Sequence, residues 1–239
     1  MKQVILFLLF YFIIKAGLAQ KTIHDPNVAA RTVGSFHAIE VSSGIDLYIS
    51  SGTEAVAVSA KDAESRDHIK TEVRDGVLYI SYEWKDSWKN VYRGNSKALK
   101  AYVSISRLDR LSAAGGSDVV AEGTINVNDL KLEISGGSEF TGVIEANSLI
   151  VEQSGGSDVN ISGKAAKLRI DASGGSDFEG YGLIAGQSEV VASGGSDISI
   201  TVTDEISAEA SGGSDITWKG SASVKKSKAS GSGSVSHRS

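Results

Sequence analysis

The chain has 239 residues, 41% of them hydrophobic, with a formal charge of −5 and no cysteine. That apolar content excludes wholesale disorder, and the net negative charge argues against nucleic acid, whose phosphates demand clustered Lys and Arg. The lack of cysteine excludes a disulfide framework, thiolate metal sites, a Cys nucleophile and a lipid-modified N-terminal Cys.

Residues 1–19 read as a signal peptide. Lys2 supplies positive charge, Val4 to Ile14 is an unbroken apolar run, and Gly17-Leu18-Ala19 offers small residues for cleavage after Ala19. The run of 11 is well short of the roughly 20 residues that span a bilayer as a helix, and no other stretch could span one. Without Lys2 and Lys15 the formal charge moves from −5 to −7. Residues 20–34, which hold the single proline at Pro26, read as a linker or a loose first strand.

Period-two alternation starts at Phe36, Ala38 and Val41, continues through Ile45, Leu47 and Ile49, and returns at Val56 and Val58. These are strands. Asp62 to His68 is polar and suits one helical turn. Lys70 to Val73 and Val77 to Tyr82, joined by Arg74-Asp75-Gly76, form a predicted hairpin with Asp-Gly in its turn. Between Ser81 and Lys100 the pattern breaks, and Tyr82, Trp84, Trp88 and Tyr92 interleave with Lys85, Lys89 and Arg93. Strands resume at Ala101 to Ile105, and Leu108 and Leu111 lead into the repeated part.

That part is organised by six tetrads: Gly115-Gly116-Ser117-Asp118, Gly136-Gly137-Ser138-Glu139, Gly155-Gly156-Ser157-Asp158, Gly174-Gly175-Ser176-Asp177, Gly194-Gly195-Ser196-Asp197 and Gly212-Gly213-Ser214-Asp215. Their first glycines are 21, 19, 19, 20 and 18 residues apart. A fixed period of this size signals a solenoid, in which each repeat buries its apolar face only by stacking on its neighbours. Four residues after each first glycine stand Val119, Phe140, Val159, Phe178, Ile198 and Ile216, all apolar. Alternate residues of a strand face opposite sides, so these rungs point inward and the acid before each points outward. Ser42-Ser43-Gly44-Ile45-Asp46 aligns on the same unit as a diverged copy. The expected fold is an all-β, single-stranded parallel β-helix of about 19 residues per coil, right-handed as parallel crossovers are. Each coil supplies two strands and two turns, and the second turn, near Gly123, Gly142, Gly163 and Gly180, absorbs the variation in spacing. Near the end, Ser230-Gly231-Ser232-Gly233-Ser234 echoes the tetrad without its acid. Lys225, Lys226 and Lys228 stand where apolar or small residues are expected, and the last residues read as mobile.

With these ladders in hand, the chain resembles the bacterial family called putative auto-transporter adhesin, head GIN domain. The resemblance runs from about Phe36 to Lys219 and rests on Phe36-x-x-Ile39, Gly44-Ile45-Asp46, Gly76-x-Leu78-x-Ile80 and the iterated Ser-Gly-Gly-Ser-Asp coils. Here Ile45-Asp46 stands where the family name has Ile-Asn. The resemblance implies a parallel β-helix outside the inner membrane of a Gram-negative bacterium, often of the Bacteroidetes, and transfers no binding residues. The expected organisation is a signal peptide at 1–19, a linker at 20–34, the β-helix domain at 35–220 and a degenerate coil or tail at 221–239.

Three functions compete. A surface-binding or adhesive module would use a long regular face, with an envelope glycan or a surface protein as partner. A purely structural envelope protein needs no ligand. An enzyme on a β-helix, such as a polysaccharide lyase or hydrolase, needs neighbouring groups of unlike pKa where the repeat breaks, whereas the obvious acids here are equivalent copies. The isolated histidines, His24, His37, His68 and His237, make no metal-binding spacing, and no nucleophile-elbow motif accompanies the serines. No catalysis and no cofactor are expected. Calcium β-rolls use a nine-residue Gly-Gly-x-Gly-x-Asp period that this chain lacks. A row of acids needs no cation, because unit charges about 4.8 Å apart repel by only about 0.9 kcal/mol in water. The candidate partner-binding residues are Trp84, Trp88 and Tyr92, whose rings join flat apolar faces to polar edges.

Overall fold

The computed structural model describes residues 25–84 and 98–238. The first part comprises β1 (Ala29–Arg31), β2 (Ala38–Val41), β3 (Asp46–Ser51), β4 (Ala55–Ser59), α1 (Ala63–Asp67), β5 (Ile69–Arg74) and β6 (Val77–Tyr82). After the insert come β7 (Lys100–Ile105), β8 (Arg110–Ala113), β9 (Val119–Ser135), β10 (Glu139–Ser154), β11 (Asp158–Ala172), β12 (Asp177–Ala192) and β13 (Asp197–Ala210). The last coil is built by β14 (Asp215–Lys219), β15 (Ser223–Ala229) and β16 (Ser234–His237).

The protein is a parallel β-solenoid. From β9 to β13 successive coils pair in parallel, with Phe140 opposite Val159 and Phe178 opposite Ile198. The inward rungs Val119, Phe140, Val159, Phe178, Ile198 and Ile216 are all buried, as are Leu132, Val151, Ile170 and Val190 from the strands that precede each corner. Burying each large side chain contributes about 1.5–3 kcal/mol, so one continuous apolar column holds the coils together without disulfides.

Each coil is one long strand rather than two, because inter-coil pairing continues through the second corner. The differences in repeat length appear there as register shifts, at Thr141/Val143, Asn160/Ser162 and Gly180/Ile184. The first corner is the tight one. Both Gly155 and Gly156 have positive φ (68° and 70°), whereas at the next corner Gly174 does (84°) and Gly175 does not. The corner conformation therefore changes partway along the row. Gln153 is buried at this change, and its Nε2 donates to the carbonyls of Ser157 (3.2 Å) and Asp177 (3.0 Å).

The N-terminal third is stacked out of sequence order. β2 pairs with β8 on one side and with β6 on the other, while β3 lies between β9 and β7. The coil formed by β6 and β7 thus lies outside the one formed by β2 and β3. Beyond it the direction reverses: β5 runs antiparallel to β6, β4 antiparallel to β7, and β1 antiparallel to β4. Reversal ends the parallel stack and limits the exposed edge on this side. The predicted hairpin is present as β5 and β6 with Asp75 and Gly76 at φ 50° and 74°, and the polar turn is α1, N-capped by Asp62 through Ser65 N–H at 2.7 Å.

At the other end two expectations are corrected. Lys226 and Lys228 pair opposite Ser207 and Glu209, which are outward positions, and Lys225 is the extra residue of a register shift. The residues up to His237 are built into the solenoid as a degenerate coil rather than left without structure: β16 pairs with β14, and His237 packs on Trp218 with ring centroids 4.1 Å apart.

Candidate functional site

Three surfaces follow from the register. The first is the corner row. Its serines, Ser117, Ser138, Ser157, Ser176, Ser196 and Ser214, are all buried. They knit the corners together through bonds such as Ser117 N–H to Ser138 Oγ (3.1 Å), Ser157 Oγ–H to the Ile134 carbonyl (3.0 Å) and Ser196 N–H to Ser214 Oγ (3.2 Å). The repeated tetrad brings one serine to every coil, and from sequence that serine was assigned no face. The clue available was its place two residues before an inward rung, on the same face.

The acids beside them point outward as expected. Glu139, Asp158, Asp177, Asp197 and Asp215 pair in sequence, with Asp118 and Asp46 continuing the row. Lys100 lies opposite Asp46 at one end, and Ser234 donates to Asp215 at 2.6 Å at the other. Burial, followed by the neighbouring Asp118 carboxylate, pushes the Asp46 carboxyl up, with Lys100 opposing. Nearby, Tyr48 and Tyr102 stack at 5.3 Å, and Tyr102 O–H donates to Asp25 at 3.2 Å. Burial and that bond push the Tyr102 hydroxyl up to about 12. Burial would raise Asp25 as well, but hydrogen bonds from Asn27, Ser59 and Tyr102 outweigh it and hold the carboxyl below its usual range.

The second surface lies outside the strands that precede the corners, where Arg110, Lys131 and Arg169 stand in one row beside Glu133, Glu152 and Asp171 in the next. Lys131 bridges Glu133 (2.7 Å) and Glu152 (3.0 Å), Arg110 meets Glu133 (3.1 Å), and Arg169 meets Glu189 (3.1 Å). Burial would raise Glu133, but Lys131 and Arg110 hold it below the usual range. A shallow groove of about 480 Å³ crosses this face past Ile150, Arg169, Glu189, Glu205 and Lys225. Most of its charges are paired within the protein, Arg169 with Glu189, Lys225 with Glu205 and Lys226 with Glu209, and Lys167 adds one further cation to the lining.

The third surface is the corner of the coil formed by β6 and β7. Later coils turn here through Gly-Gly, or through Gly231-Ser232 in the last; this one has residues 83–99 instead. Trp84 stands at the start of the insert, 58% exposed, edge-on to Tyr82 at 4.8 Å. Tyr82 itself is buried in β6 and meets His68 edge-on at 5.8 Å, so it belongs to the core rather than to the insert. Trp88 and Tyr92 lie outside the described residues. The described histidines are dispersed: His37 faces Asp109 (3.2 Å), His68 meets Tyr82, and His237 caps Trp218. Among the described residues no group of three or more His, Cys, Asp or Glu could hold a metal ion. None of their helices is long and apolar enough to cross a membrane.

A parallel solenoid with serine-knit corners, an outward acid row and one aromatic-rich insert in place of a corner defines a β-solenoid repeat module. The chain belongs to the family described as putative auto-transporter adhesin, head GIN domain, whose profile matches residues 35–222. It is similar to the crystal structure of a putative adhesin from Bacteroides fragilis (TM-score 0.79, 22% identity, covering 90% of this chain and 98% of that one). It is also similar to a putative adhesin from Parabacteroides merdae (TM-score 0.69, 16% identity, 90% and 98%). A third likeness is to a protein from Parabacteroides distasonis titled a putative lipid binding protein (TM-score 0.65, 18% identity, 90% and 98%). At these identities the likeness is one of fold. No curated protein matches the chain.

Proposed function

We propose that this protein is an exported, non-catalytic envelope module that binds a glycan or surface protein through the insert of the coil formed by β6 and β7, with Trp84, Trp88 and Tyr92 as anchors. One observation carries this reading. The corners are near-copies everywhere except at that coil, and specificity needs placed anchors that identical rungs do not supply. The exposed Trp84 ring marks where the exception begins. Membership in an adhesin-head family supports the same reading. Export follows from Lys2, the Val4 to Ile14 run and Ala19, and mass spectrometry of native material should find Gln20 at the N-terminus.

The test is a glycan and envelope-component binding screen on the chain from Gln20, repeated with a Trp84→Ala, Trp88→Ala double variant and accompanied by thermal melting. Binding lost with the melting temperature retained supports the reading. Unchanged binding moves the site elsewhere, and lost folding assigns the rings to the core. A screen without any partner favours a purely structural role.

A further inference from the structure

The molecule's charge is divided along its axis. From Gln20 to Asp215 there are 17 basic and 29 acidic residues. The 24 residues after Asp215 contain no acid, and hold Lys219, Lys225, Lys226, Lys228 and Arg238. All five belong to the terminal coil of β14, β15 and β16 or its flanks, at the end opposite the antiparallel cap. Apart from the inward Ile216 and Trp218 and the partly buried Val235, the rest of the coil is mostly small and polar, with serine at Ser221, Ser223, Ser227, Ser230, Ser232, Ser234 and Ser236. Val224 stands 54% exposed immediately before the lysines.

The geometry points to this end as a docking surface for a bilayer bearing anionic lipid headgroups. Clustered cations with an apolar side chain exposed among them are the signature of interfacial attraction. Lys225 and Lys226 lean back onto Glu205 and Glu209. All four side chains are substantially exposed, and pairs of that kind are weak enough to exchange for a headgroup. The acidic body does not cancel the attraction. Coils are spaced at about 4.8 Å and charges are screened over about 8 Å at physiological salt, so a surface at this end meets the five cations of the outermost coil, with Asp215 its one acid, ahead of Asp197, Asp204, Glu205 and Glu209 one coil behind, and no longer senses acids beyond about two coils. The same division of charge sets orientation, because only the terminal coil can approach an anionic surface without repulsion. The solenoid then stands on end, with the coil of β6 and β7 and its Trp84 held away from the bilayer. Two copies joined through their terminal coils are disfavoured, since both edges carry the same basic side chains.

This inference does not rest on partner binding at Trp84, which lies toward the other end. Every described element falls within residues 25–238, so the chain from Gln20 is the form to test. It should co-sediment at about 0.15 M salt, where the acidic body is screened, with vesicles of phosphatidylcholine containing about 30% phosphatidylglycerol, and not with phosphatidylcholine alone. A Lys225→Gln, Lys226→Gln, Lys228→Gln, Arg238→Gln variant should partition about tenfold less. A Lys164→Gln, Lys167→Gln, Arg169→Gln variant, which removes cations from a middle coil, should stay within about twofold of the parent. Circular dichroism confirms that each variant is folded; if the fourfold variant is not, Lys228→Gln, Arg238→Gln, which leaves both ion pairs intact, takes its place with a smaller loss in the same direction. Equal loss in the end and middle variants, or binding to neutral vesicles, overturns the proposal. So does salt-sensitive self-association without vesicles that the end variant abolishes, which would assign the basic end to the acid row of a second copy.

Discussion

Phe178 and Asp177 are adjacent in β12 but face opposite ways, one into the apolar column and one into solvent. Phe178→Ala should therefore cost on the order of 3–5 kcal/mol, while Asp177→Asn should change stability little; denaturant melts of the two variants give the comparison. A larger effect from the acid would mean a bound cation or reversed faces. Asp46 adds a test with a definite sign. Its folded pKa is raised, by burial and then by Asp118, so its contribution to stability is full below the unfolded carboxylate pKa and is lost as pH rises through the folded value. Asp46→Asn should raise the melting temperature at pH 7 and leave it unchanged near pH 3. The inward rungs and outward acids were legible because period-two alternation in a strand leaves no third choice of face. The burial of the corner serines was harder to see, because a hydroxyl inside an apolar column is tolerated only when the neighbouring corner supplies its partners.

At the scale of the element, the corner is the unit that repeats, and its two glycines are not equivalent. A Cβ at Gly156 or Gly175 would meet no atom closer than 3.9 Å, so the sites differ in backbone conformation and not in space. Gly156 is left-handed at φ 70°, and Gly156→Ala should destabilise by about 1–2 kcal/mol. Gly175 lies outside the positive-φ region, so Gly175→Ala should be neutral or stabilising by up to about 1 kcal/mol; paired thermal melts would check both. From sequence the two glycines looked alike, since the change of corner conformation depends on what a coil stacks upon. The out-of-order stacking was hidden for a similar reason. Val56, Val58, the Asp75-Gly76 hairpin and the Ala101 to Ile105 strand were each readable, but nothing local records that β6 and β7 pass outside β2 and β3. The lysines of β15 were misplaced because one extra residue, Lys225, shifts the register that alternation alone would assign.

At the scale of the whole molecule, the acid row is a continuous electrostatic cost that the fold distributes. The row carries like charges at every coil from Asp46 to Asp215, relieved at its ends by Lys100 and Ser234. Opposite-charge pairs on the adjoining face are surface pairs and offset little of it. Screening should therefore stabilise the protein: the melting temperature at pH 7 should rise from about 0.01 M to 0.3 M sodium chloride as the Debye length contracts from roughly 30 Å to below 8 Å. At matched ionic strength, millimolar calcium should do no more than magnesium, because each acid stands in a single file and, among the described residues, no three carboxylates or imidazoles converge. Calcium ligation needs six to eight oxygens gathered around one point, which a straight row of exposed side chains does not provide. A calcium-specific rise in melting temperature, abolished by Asp158→Asn and Asp177→Asn together, would instead identify the row as a cation site. Insensitivity to salt would show that the carboxylates are far enough apart in solution to ignore one another, and the stability of the solenoid would then rest on the apolar column and the serine-knit corners alone.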